Sequence, residues 1–200
     1  MTKKCKNCRF IFEKSKRVPL RRKQVTKIFV KRGIRKKCGG MKIEYMKTPL
    51  NKYTFSRKPI KKWVENNSKG KVLNLFAGMT RLSLNEFRVD MDKTMIANWY
   101  GDAYDFIKDC KKKFDTIILD PPYAYRKSME MYNGHKASKF NEIKDMIPKI
   151  LKRDGIVITF GYHSVSMGKK RGFIQDKILL MSHGGAIHDT IAVIERSAGK

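Results

Sequence analysis

Two hundred residues suffice for one domain with an appendage, and an apolar fraction of 41% is enough to build a core. The formal charge of +28 calls for a polyanionic partner, and nucleic acid is the natural one. No run approaches the roughly 20 apolar residues of a membrane span, no secretory-type stretch opens the chain, and cysteines at 5, 8, 38 and 110 do not form an extracellular disulfide framework; an intracellular, cytoplasmic protein away from membranes is expected.

The charge is uneven. Residues 1–40 hold sixteen Lys/Arg against one acid, Glu13, whereas residues 41–200 hold thirty against seventeen. The first segment ends at Gly39-Gly40, a linker signal. It reads as a basic extension, with 41–200 as the main domain. Inside it only 25–30 (Val-Thr-Lys-Ile-Phe-Val) has the composition of a strand, too little for a core without a metal or a partner. Cys5-x-x-Cys8 is half of a zinc-knuckle spacing, and Cys38 is a candidate third ligand, so the extension is a candidate zinc site.

From Met41 onward apolar strands alternate with helical stretches, the mark of an α/β domain. Ile60, Trp63 and Val64 at helical spacing predict a helix over 60–65. Strands are predicted over 71–76, 87–90 and, more briefly, 96–100. A helix over 104–111 leads to a buried strand over 116–119. A polar loop, 124–138, precedes a helix whose apolar face is Phe140, Ile143, Ile147, Ile150 and Leu151. Pro148 is expected to interrupt and kink it. Asp154-Gly155 then turns into a strand over 156–160. Two last strands, 177–181 and 190–194, are joined through Gly184-Gly185.

Ligands in open α/β sheets bind outside the carboxyl ends of the strands. Four such ends carry suitable groups. After the first predicted strand, Phe76-Ala77-Gly78 lets backbone approach a ligand closely, because glycine lacks Cβ. Asp90 ends the second, with Asp92 two residues on. Asp102-Ala103 follows the third. After the fourth comes Asp120-Pro121-Pro122-Tyr123: an acceptor, stiff carbonyls and a flat ring at one sheet edge. That set suits a planar, amine-bearing base whose exocyclic nitrogen must be made nucleophilic.

The two motifs, in this order, resemble those of the amino-methyltransferases that use S-adenosylmethionine (SAM), particularly the DNA adenine-N6 group, over residues 50–195. The resemblance implies a doubly wound, seven-stranded, Rossmann-like methyltransferase fold with a terminal antiparallel pair. It implies SAM as cofactor, held around Phe76, Ala77 and Gly78, with Asn74 where the family often has Asp. Asp90 would take the ribose hydroxyls, with Asp92 the lesser candidate. Asp102 and Ala103 would contact the adenine of SAM, and Phe106 would pack on its ring. Asp120, Pro121, Pro122 and Tyr123 would form the catalytic motif, Tyr123 stacking on the target base. Tyr125, Arg126 and Lys127, with Tyr132, His135 and Lys136, mix aromatics and cations as a nucleic-acid lid does. Tyr162 and His163, after the fifth strand, would lie near the target base. Lys169-Lys170-Arg171 is a further phosphate candidate, whereas His183, His188 and Asp189 read as turn residues rather than a metal trio.

One departure stands out. Only 79–86 separates the first two strands, where a parallel crossover takes a dozen or more residues. The first helix is therefore expected to be a single turn or to be replaced by a tight loop. The preferred substrate is DNA. An RNA base amine (guanine N2 or adenine N6) and an inactive, nucleic-acid-binding use of the fold remain open, as does a restriction or recognition partner.

Overall fold

The computed structural model describes residues 40–121, 140–185 and 188–198. The chain divides into two units, Met1–Gly40 and Met41–Lys200. The expected strand at 25–30, the cysteines at 5, 8 and 38, and the loop from Pro122 to Ser138 lie outside the described residues.

In chain order the elements are β1 (Lys42–Lys47), a 3-10 turn (Thr54–Ser56), α1 (Lys58–Asn67), β2 (Val72–Asn74), β3 (Glu86–Asp90), β4 (Trp99–Tyr100), α2 (Ala103–Asp109), β5 (Phe114–Leu119), α3 (Phe140–Ile150), β6 (Leu151–Gly161), a second 3-10 turn (Lys169–Arg171), β7 (Phe173–Ser182) and β8 (Thr190–Ser197). They form one sheet of order β1-β7-β8-β6-β5-β2-β3-β4. Strand β8 runs antiparallel to both neighbours; every other pairing is parallel. This is the Rossmann-like methyltransferase sheet that the resemblance implies, with one strand more. No helix among the described residues is long and apolar enough to cross a membrane.

Both faces of the sheet are covered, which is why its central strands read as unbroken apolar runs rather than alternating ones. In β5, Ile117 and Leu119 join the core beneath α2 and α3, while Ile118 joins the core beneath α1. In β2, Leu73 and Val72 divide in the same way. Helix α1 has Pro near its start, where its missing N–H costs nothing, and buries Ile60, Trp63 and Val64. Helix α2 starts at Asp102, whose Oδ1 accepts from the Tyr104 N–H at 2.7 Å. Helix α3 buries Ile143, Ile147 and Ile150.

Three expectations are corrected. Strand β1 was not foreseen; it extends the sheet beside β7, and its Glu44 accepts from the Trp63 indole N–H at 2.6 Å. Helix α3 continues through Pro148 to Ile150: the lost bond falls in its last turn, where the buried isoleucines hold it. Strand β6 begins at Leu151, before the expected turn, because Asp115 of β5 faces a bulge at 152–155. Gly155 is required there, since a Cβ would stand 2.5 Å from the Leu151 side chain and 2.9 Å from the Lys152 carbonyl oxygen. The short spacing after β2 is met by one of its two expected solutions: no helix joins β2 to β3, and 75–85 is a loop.

Candidate active site

The carboxyl ends of β2, β5 and β6 meet a cavity of about 620 Å³, within the range of small-molecule sites. Its lining includes Phe76, Ala77, Gly78, Met79 and Thr80 after β2, Asp120 and Pro121 after β5, and Tyr162 after β6. Parallel pairing of β2 with β5 and of β5 with β6 brings these three ends together, as the strand order requires. The opposite wall is the connection from β1 to α1, with Asn51, Lys52, Tyr53 and Arg57.

The loop after β2 is shaped from beneath by side chains of β3. Gly78 has φ 59°, a left-handed conformation that glycine adopts without steric cost. Its N–H donates to Asp90 Oδ2 at 2.8 Å. Asp90 Oδ1 accepts from the Asp92 N–H at 3.0 Å. Each carboxylate oxygen has two lone-pair sites, so this buried side chain keeps acceptor capacity for a ligand. Asp92 takes both the hydroxyl and the N–H of Thr94 on Oδ1, at 2.7 and 2.8 Å. Those two bonds hold its carboxyl below the ordinary value.

Not every expected residue reaches the cavity. Asn74 is fully buried, its Nδ2 3.4 Å from Glu86 Oε2. Asp90 and Asp102 end β3 and precede α2 outside the cavity lining, and Ala103 is packed in the core beside Ile107. Phe106, expected against an adenine, stacks on Phe87 at 5.5 Å and meets Trp99 at 5.3 Å. His163 is exposed and does not line the cavity. Pro122, Tyr123, Tyr125, Arg126 and Lys127 lie outside the described residues.

Residues that the sequence did not single out for the site take part in it. His188, from the connection between β7 and β8, lines the cavity with its ring 5.1 Å from that of Tyr162. His183 also lines it: its Nδ1 is 2.8 Å from the Thr48 carbonyl oxygen and its Nε2 2.8 Å from Thr190 Oγ1. A carbonyl only accepts, so Nδ1 donates to Thr48, and the ring ties the end of β1 to the last hairpin. Its backbone N–H donates to Asp189 Oδ1. Among the described residues no cluster of three His, Cys, Asp or Glu is placed to hold a metal. Lys169 and Lys170 are exposed, while Arg171 donates to Asp145 at 2.6 Å.

The fold is of the SAM-dependent methyltransferase class: a doubly wound sheet closed by one antiparallel strand. No protein-family model matches the chain, and no curated protein does. Among solved structures, the chain is similar to SMU.776 complexed with SAH, at 14% identity and a TM-score of 0.49, over 71% of this chain and 49% of that one. It is similar to a SAM-dependent methyltransferase from Agrobacterium tumefaciens at 17% and 0.48, over 69% and 60%. With TrmN from Thermus thermophilus the values are 13% and 0.46, over 70% and 47%. The chain thus spans about half the length of two of these proteins, 49% and 47%. Such identities speak to fold alone.

Proposed function

We propose that this chain transfers a methyl group from SAM to the exocyclic N6 amine of adenine in DNA. One observation carries the reading: Asp120 and Pro121 share a single cavity with the glycine-bearing loop after β2, at the ends of adjacent parallel strands. A methyl acceptor and a methyl donor must meet, and this arrangement gives each its own wall.

The cavity volume and the glycine-bearing loop on its wall fit the amino-acid end of SAM. The backbone of Phe76, Ala77 and Gly78 would hold its amino-acid end; Asp90 and Asp102, which end β3 and precede α2 outside the lining, would accept from the ribose and the adenine amine. When bound, SAM supplies an electrophilic methyl group. The remaining work falls to this chain's own residues. The lone pair of an aromatic amine is delocalised into its ring, so the nitrogen is a weak nucleophile. Asp120 accepts one amino hydrogen and the Pro121 carbonyl the other, drawing the nitrogen toward tetrahedral geometry and freeing its lone pair. Proline suits that place because its φ is fixed and it has no N–H to satisfy. Tyr123 would stack on the base, a contact worth roughly 1–3 kcal/mol, against a flipping cost of a few kcal/mol. Tyr162 lines the same cavity as Asp120 and Pro121.

A base amine in RNA, guanine N2 or adenine N6, is the second reading, because the charge of +28 suits either polymer. A nucleic-acid-binding protein with an idle methylase fold is the third, motivated by the missing helix after β2. Action on nucleic acid inside the cell accompanies all three. The N-terminal segment is proposed to hold zinc through Cys5, Cys8 and Cys38; metal content of the purified chain decides that part.

The test is transfer of tritiated methyl from SAM to duplex DNA, ribosomal RNA and transfer RNA in parallel, followed by nucleoside digestion and mass identification. N6-methyladenine in DNA is the expected product. A methylated RNA nucleoside moves the substrate to the second reading. No transfer, and no binding of S-adenosylhomocysteine (SAH), leaves the third.

A further inference from the structure

A parallel crossover between β2 and β3 normally carries a helix, and the start of such a helix offers aligned N–H groups to an anionic ligand. Here the helix is absent, and something else must orient the loop that lines the cavity. Arg88 of β3 lies directly beneath it, with a side chain only 2% exposed. Each of its five N–H donors is used. Nη2 donates to the carbonyls of Ala77 and Gly78, both at 2.8 Å. Nη1 donates to the Thr80 carbonyl at 2.8 Å and to Glu86 Oε1 at 2.6 Å. Nε donates to the Ile96 carbonyl at 2.5 Å. Glu86 Oε1 in turn accepts from the Leu82 N–H at 2.9 Å. Three of the five bonds therefore fix carbonyls of the loop that lines the cavity.

A trans peptide points its N–H away from its C=O. Drawing the Gly78 and Thr80 carbonyls down onto the guanidinium turns the N–H groups of Met79 and Arg81 the other way. Met79 and Thr80 line the cavity. We propose that Arg88 is the positioning residue of the cofactor loop, aiming the Met79 N–H at the carboxylate of the bound cofactor in place of the missing helix. The proposal rests on the methyl-transfer reading. Its effect is orientation rather than attraction, because Glu86, 5% exposed, neutralises Arg88 at contact distance. The fork is essential: lysine keeps the charge but offers three donors from one point and cannot reach four carbonyls spread around it.

The experiment uses the full chain and its Arg88→Lys variant, with four readouts: SAH affinity by calorimetry, KM for SAM against KM for nucleic acid, the melting temperature, and amide hydrogen exchange of 75–85. Arg88→Lys is expected to weaken SAH and raise the KM for SAM by about tenfold to a hundredfold, the scale of a small misplacement. The KM for nucleic acid and kcat at saturating SAM should hold, and exchange should quicken in 75–85 ahead of β5. Unchanged SAH affinity overturns the proposal, and so does a parallel rise in both KM values. If Arg88→Lys does not fold, Glu86→Gln is read instead; it keeps the shape and an acceptor for Nη1 but replaces a charge-assisted bond by a weaker neutral one, and should show the same pattern at smaller size. If the wild-type chain binds no SAH, the methyl-transfer reading fails by itself, and exchange in 75–85 still decides whether Arg88 holds the loop.

Discussion

Asp120 and Gly78 face one cavity from adjacent strands, yet they are given different tasks, and substitution should separate them. Asp120→Ala removes the acceptor for the amine hydrogen and leaves the β2 loop untouched. Turnover in the tritium assay is expected to fall below detection, while SAH affinity stays within about threefold, less than the 1.4 kcal/mol that a tenfold change represents. Loss of SAH binding with it would make Asp120 a structural residue. Asp102 poses a different question, because its side chain already caps α2. Asp102→Ala is expected to cost about 0.5–2 kcal/mol in denaturant unfolding, and Asp102→Asn much less, since asparagine caps about as well. A fall in SAH affinity for the Asn variant without a fall in stability would assign the carboxylate to the ligand as well.

At the level of elements, β1 is held to the sheet by its ladder to β7 and to α1 by one carboxylate. Glu44 takes Trp63 Nε1 at 2.6 Å, Lys42 Nζ at 2.6 Å and Lys177 Nζ at 3.3 Å. Burial pushes its carboxyl up, but the bonds from Lys42 and Trp63 and the charge of Lys177 outweigh burial and hold it below its ordinary 4.5. A folded pKa below the unfolded one stabilises the native state above the unfolded value and loses that contribution as pH falls through the folded one. Melting temperature should therefore drop with acid below 4.5 more steeply in the native chain than in Glu44→Gln; parallel curves would remove Glu44 from the account. The same element shows what the sequence conceals. Strands β5 and β6 were legible because they are buried on both faces. Lys42–Lys47 presents no apolar run: Ile43 and Tyr45 are exposed, and a charge stands at every other place but one. In Phe87-Arg88-Val89-Asp90 an arginine reads as pointing to solvent, and only the loop above it turns it inward. The aspartate-proline motif was visible because its chemistry is carried by consecutive residues. The wall at 49–57 was not, because no periodicity marks a segment that gains its role from what folds against it.

For the whole molecule, charge sets the terms of binding. Each phosphate neutralised releases counterions, so log K falls with log salt by about 0.9 for every contact to duplex DNA. The cluster Lys31, Arg32, Arg35, Lys36 and Lys37 is dense enough to dominate that slope. Changing all five to glutamine is expected to make the slope shallower by up to about 4–5 for DNA, measured by fluorescence anisotropy across a salt series. SAH affinity should not change. An unaltered slope would move the polyanion contacts to the main domain, where Lys169 and Lys170 are exposed.

The cavity wall between β1 and α1 is a strap fastened at both ends. Thr48 is fixed by its N–H to the Ser182 carbonyl at 2.9 Å and by His183 on its own carbonyl. Phe55 is sunk into the core, 5.4 Å from Phe160. Between those fastenings, 49–54 spans the opening without joining the sheet. Strand register and cavity size are thus set by separate stretches of chain. Lengthening a loop costs only about 0.6 kcal/mol per doubling, so residues added to the strap would widen the chamber while every strand kept its partner. A lineage carrying this fold could change the size of what it accepts through insertions at one place, with the end of β5 left as it is.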